Sequence, residues 1–185
     1  MTAAEASTSL AERTSRTVKV WDPLVRIFHW SLVGLFAFSY LTGDEWKAAH
    51  VYSGYTIAGL IAFRILWGLV GSRHARFSDF IYSPATVMTF LVDTLRMRAK
   101  RYLGHNPAGG MMVLALLLTI SAIATTGYMM TMDAFWGLEW VEEAHEAAVN
   151  IGLGLIGLHI LGVVLASIEH RENLVRSMLT GRKRV

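Results

Sequence analysis

The sequence contains no cysteine. That excludes a disulfide, a thiolate metal site, an iron-sulfur cluster and covalent haem attachment through a CxxCH pair, so any metal or cofactor must be held by other side chains. Charge is scarce as well: 17% of the 185 residues are Asp, Glu, Lys or Arg, against 54% hydrophobic. This is the composition of a membrane protein, and the length suits one domain. The first twenty residues lack a compact apolar run and carry Glu5, Glu12, Arg13, Arg16 and Lys19. They do not resemble a cleaved signal peptide, which leaves the first apolar span as an uncleaved insertion signal.

Four stretches, at 25–43, 50–70, 110–131 and 145–168, are apolar enough to form helices across a membrane. At about 1.5 Å per residue they suffice for a hydrocarbon core of ~30 Å. The expected fold is an all-α integral membrane protein, a four-helix transmembrane bundle. The first span is the least uniform, because Arg26, His29 and Ser31 interrupt its opening turns.

Basic residues are retained on cytoplasmic flanks. Here Arg13, Arg16, Lys19 and Arg26 precede the first span, Arg73, Arg76, Arg96, Arg98, Lys100 and Arg101 lie between the second and third, and Arg171, Arg176, Arg182, Lys183 and Arg184 follow the fourth. The two opposite connections hold Lys47 against Asp44, Glu45, Asp133, Glu139, Glu142 and Glu143. A multi-pass protein of the bacterial inner membrane with both termini cytoplasmic is expected, its partner the lipid bilayer and not nucleic acid. The expected division is a flexible cytoplasmic tail at 1–20, a transmembrane domain at 21–170 and a basic cytoplasmic tail at 171–185. Pro84 opens a helix in the long inner connection, with Val87, Met88, Leu91 and Leu95 on one face and Arg96, Arg98, Lys100 and Arg101 at its end. Such an amphipathic cytoplasmic-side helix, between spans two and three, suits the anionic inner leaflet. Docking of a cytoplasmic protein is the alternative. Gly104, Asn106, Pro107, Gly109 and Gly110 make the turn into the third span.

Ionisable groups within spans are costly and invite a functional reading. Of seven histidines, His29, His50, His145 and His159 lie in or at the start of a span. His145 and His159 are fourteen residues apart, a rise of about 21 Å that returns to nearly the same helix face. His29 precedes Gly43, near the outer end of its span, by the same fourteen. His29 and His159 therefore share one depth and His50 and His145 another. Two haem sites stacked in a four-helix bundle require this arrangement, each iron taking one imidazole from each of two helices. The expected pairs are His29 with His159 for an inner haem and His50 with His145 for an outer one. One such histidine alone more often bonds backbone or water; four at two matched depths point to a cofactor. A zinc or copper site is the rival, but neither cysteine nor a buried carboxylate completes it. Arg64, fourteen residues after His50, reaches the inner depth, where a haem propionate is its expected partner and snorkelling to the interface the alternative. Gly34, Gly54, Gly59, Gly152, Gly154, Gly157 and Gly162 either admit a flat macrocycle or let helices pack. The six tryptophans read as an interfacial belt, and His74, His105 and His170 as residues of the inner boundary.

The segments WDPLVRIFHW at 21–30, HVYSGY at 50–55, RILWG at 64–68, GHNPAGG at 104–110 and HEAAVNIGLGLIGLH at 145–159 give the chain a resemblance to the prokaryotic cytochrome b-561 family. That family groups with the b-type subunits of nickel-iron hydrogenases and formate dehydrogenases. The resemblance implies two bis-histidine, low-spin haems b ligated at positions 29, 50, 145 and 159, with quinone as the diffusible electron carrier. Six-coordinate irons leave no open position, so the implied role is an electron relay, with any catalysis at the quinone. The acidic outer connections favour a periplasmic c-type cytochrome or another basic redox protein as partner and disfavour superoxide oxidation. The alternatives are a superoxide:ubiquinone oxidoreductase and an anchor subunit that links a hydrogenase or dehydrogenase to quinone.

Overall fold

The computed structural model describes residues 17–43 and 45–184. Glu5, Glu12, Arg13, Arg16 and Asp44 lie outside the described residues. Four long helices, α1 (Pro23–Thr42), α2 (Lys47–Val70), α4 (Pro107–Met129) and α5 (Glu139–Glu169), are long and apolar enough to cross a membrane. Between α2 and α4 lies the shorter α3 (Pro84–Leu95). A last helix, α6 (Leu174–Thr180), precedes the second of two three-residue strands, β1 (Thr17–Lys19) and β2 (Arg182–Arg184).

Local chemistry sets the helix starts. All three prolines of the chain follow a capping residue: Asp22 before Pro23, Ser83 before Pro84 and Asn106 before Pro107. In each case the polar side chain accepts a backbone N–H that the first turn would leave unpaired, and proline supplies a φ suited to the helix. Asp22 accepts from Val25 N at 3.0 Å. It also accepts from Trp67 Nε1 at 3.3 Å and from the Ser72 hydroxyl, which ties the start of α1 to the end of α2. Burial pushes its carboxyl up, but the hydrogen bonds from Ser72, Val25, Trp67 and Leu24 outweigh this and hold it below the usual value.

Helix α1 packs on α2, α2 on α4 and α4 on α5. The core of Phe28, Ile57, Ile61, Leu117 and Ile120 fills the space between α1, α2 and α4. Helix α5 lies along α4 but makes no extended backbone contact with α1 or α2. It stands off from both by more than a packed pair of helices would.

Both tails meet at one end of the bundle, called here the terminal end. Strands β1 and β2 pair antiparallel, Thr17 opposite Arg184 and Lys19 opposite Arg182. Gly181, in the left-handed conformation at φ 78°, closes α6 and turns the chain back. Its carbonyl accepts from Val20 N and Trp21 N. Lys183 is buried, its Nζ 3.3 Å from the Tyr102 carbonyl and 5.7 Å above the Trp21 ring. Buried Glu172 pairs with Arg101 at 3.0 Å and accepts from Arg184 N at 3.1 Å. No regular element was expected in either tail, since neither shows an alternating apolar pattern. Burial of Lys183 and Glu172 against the α3–α4 connection orders them. On α3 itself the expected face divides: Phe90 turns inward onto Tyr102, Val87 is half-buried, and Met88, Leu91 and Leu95 point away from the protein.

Two histidine pairs as the candidate cofactor site

His29 projects from α1, His50 from α2, and His145 and His159 from α5. The ring centroids of His29 and His159 are 6.4 Å apart, and those of His50 and His145 6.2 Å. Each pair spans one of the two separations at which α5 stands off from its neighbours. Two kinds of imidazole pair differ in this distance. Imidazoles hydrogen-bonded to each other, at about 2.9 Å between nitrogens, bring their centroids to about 5 Å. Two imidazole nitrogens sharing one metal ion, at about 2.0–2.1 Å each, set them about 6 Å apart. Both observed separations match the second.

Hydrogen bonding fixes the ring orientation in the pair remote from the termini. His50 Nδ1 lies 2.8 Å from the Ser39 carbonyl, which only accepts, so Nδ1 carries the proton. Thr126 Oγ1 donates to Ala122 O at 2.8 Å and lies 3.0 Å from His145 Nδ1, so it accepts the proton of that ring too. In both rings Nε2 keeps its lone pair. An outer-shell acceptor on the other nitrogen is the usual way a protein orients a histidine ligand. In the pair at the terminal end, His29 Nδ1 is buried and has no partner among the described residues.

Among the described residues no group of three or more His, Cys, Asp or Glu is placed to hold a metal ion. Zinc and copper sites draw three or four ligands from the protein, whereas haem iron takes four from its macrocycle and needs only two more. The donor sets therefore fit haem. The glycines fit as well. A methyl group at Gly34, Gly54, Gly59, Gly154, Gly157 or Gly162 would meet no protein atom within 4 Å, so these glycines do not serve helix packing; at Gly152 it would press on Ile123 at 3.3 Å. At Gly127 it would stand 3.1 Å from His145 Cε1, so glycine there gives that imidazole its seat.

Arg64 is 3% exposed. Its Nη2 donates to the Ala75 carbonyl at 3.0 Å, its guanidinium lies 5.1 Å from the centre of the Phe77 ring, and Nη1 is buried without a partner. Two of the residues expected at the inner boundary pack within the protein. Trp21 is buried, and the His105 ring packs between Trp21 at 4.7 Å and Phe80 at 4.5 Å. Burial, reinforced by the positive charges of Arg64 and Lys183, holds the His105 imidazole down to about 3, so it is neutral. The only sequence sign of this was its place beside the capping Asn106.

The family model described as prokaryotic cytochrome b561 matches residues 20–181. The probable Ni/Fe-hydrogenase B-type cytochrome subunit of Bradyrhizobium diazoefficiens is 25% identical over 214 aligned positions, covering 90% of this chain and 86% of the relative. The proteins of the same description from Rhizobium leguminosarum bv. viciae and Azotobacter vinelandii are each 23% identical, with 91% of this chain and 89% of each relative covered. No solved structure matches the chain.

Proposed function

This chain belongs to the prokaryotic cytochrome b561 family and is a multi-pass bacterial membrane cytochrome of the b type, and from that premise we propose that it relays electrons across the bilayer between the quinone pool and a redox protein. The observation that carries the reading is the presence of two histidine pairs, 6.4 and 6.2 Å between ring centroids, at opposite ends of one bundle. His29 and His159 would hold one haem b, His50 and His145 a second. When bound, each haem would supply a one-electron iron couple, held in the protein by its pair of histidines.

The chain's own contribution is orientation and insulation. The Ser39 carbonyl and Thr126 hydroxyl hold protons on Nδ1 and so present Nε2. The apolar core between α1, α2 and α4 keeps water from the interior. The distribution of Lys and Arg assigns the terminal end to the cytoplasm. At the other end Glu45, Asp133, Glu139, Glu142, Glu143 and Glu146 are exposed, with Lys47 the one described base among them. Such a face attracts a basic partner, as a periplasmic c-type cytochrome would be, and repels superoxide.

A second reading has its own support. All three relatives are described as probable hydrogenase cytochrome subunits, so the chain would link a hydrogenase or dehydrogenase to quinone. Against it, an alignment of 214 positions exceeds the 185 residues of this chain, so those relatives carry segments that this one lacks. Stopped-flow mixing of the reduced protein with a basic c-type cytochrome separates the two. Fast oxidation that slows as salt is raised is expected. Slow, salt-independent oxidation together with copurification of a large metalloenzyme would transfer the role to the second reading.

A further inference from the structure

We propose that Arg26, Arg64 and His105 form a carboxylate pocket for the two propionates of the haem held by His29 and His159, an inference that rests on the two-haem reading. Among the described residues, four buried side-chain nitrogens have no hydrogen-bond partner: Arg26 Nε, His29 Nδ1, Arg64 Nη1 and His105 Nδ1. All four belong to the terminal end. Arg26 stands one turn before His29 on α1. His105 is close enough to Arg64 and His159 for their charges to act on it, and its ring lies against Trp21. Nearly all buried polar groups in proteins are paired, so four orphans in one region point to a missing partner.

That partner must be an acceptor with negative charge. A guanidinium as buried as that of Arg64 requires one; the Asp22 charge acts on it, but among the described residues no carboxylate oxygen bonds its Nη1. Asp22 accepts from Val25, Trp67 and Ser72. Asp79 lies 3.7 Å from Arg73, Glu169 accepts Ala99 N at 2.6 Å, and Glu172 pairs with Arg101. One haem carries two propionates, one for each of the two guanidiniums with an unpartnered nitrogen. The planar fork of arginine suits carboxylate oxygens, and a neutral imidazole adds one donor. A lipid phosphate at the inner interface offers related chemistry, and the test separates the two.

Both midpoint potentials and the haem to protein ratio are to be measured for the full chain and for R64Q, R26Q and R64K, in nanodiscs of zwitterionic and of anionic lipid. A nearby cation disfavours the more positive ferric state, so its loss lowers the potential. R64Q is expected to shift one haem, the one that H29A removes, downward by a factor of ten or more in its one-electron equilibrium, or 59 mV. R26Q should shift the same haem, and R64K should restore most of the effect. The wild-type values should not depend on headgroup charge. Unchanged potentials and haem retention in both glutamine variants, a shift confined to the other haem, or a dependence on anionic lipid would overturn the pocket while leaving two haems in place. Should R64Q fail to insert, R26Q carries the same decision. Fewer than two haems in the wild type would instead sink the reading beneath it.

Discussion

At the scale of single residues, the ligand quality of a histidine depends on which ring nitrogen keeps its proton. Removing the Thr126 hydroxyl in T126V leaves His145 Nδ1 without its acceptor. Loss of such an outer-shell partner costs about 10–100-fold in affinity, so T126V should release one haem per chain on dilution and keep the other. Retention equal to wild type would remove Thr126 from the site. G127A should disturb the same haem by pressing on His145 Cε1. At Gly157 the added methyl meets no protein atom within 4 Å, so lowered haem content in G157A would place a macrocycle there, and an unchanged spectrum would give that surface to lipid. The approach of the four histidines in two pairs was legible in the sequence because ionisable groups are rare in spans and a fourteen-residue interval preserves the helix face. Ser39 and Thr126 were not. Hydroxyls in spans commonly bond back to their own helix, as Ser121 does to Leu117 O and Ser167 to Val163 O, so polarity alone does not mark the two that serve a histidine.

At the scale of elements, apolar length located all four spans, and the starts moved for identifiable reasons. Helix α5 begins at Glu139, six residues before the expected 145, because Glu139 and Glu142 in its first turn complement the helix dipole. His145 thus sits nearly two turns inside a helix and not at its frayed end. The Asp22 cap makes a testable contribution. D22A should lower stability by about 1 kcal/mol for the cap itself, with more from the lost links to Trp67 and Ser72, read as an earlier thermal transition of the purified protein. Because the folded carboxyl titrates below its usual value, the contribution is complete above the unfolded value of 3.8 and is lost as pH falls through the folded one. A destabilisation by D22A that persisted undiminished at pH 2 would assign the effect to packing. The β1–β2 pair was not legible, since three-residue strands of mostly basic residues carry no periodic signal. Contacts made by Lys183 and Glu172 with residues some seventy to eighty positions away order them.

At the scale of the whole molecule, packing is uneven. Helices α1, α2 and α4 share a core, while α5 stands off from α1 and α2 and carries one member of each histidine pair. Pairing by depth was readable from helix geometry; which helices would pack and which would stand apart was not, because every span is apolar all round. The central claim is that this separation holds two haems b, each between two imidazoles. H29A and H159A should each remove one haem, and H50A and H145A the other. The most direct measurement is a reduced-minus-oxidised spectrum of the purified protein with haem and protein both quantified. The account predicts about two low-spin haems b per chain, and a ratio of one or zero would contradict it.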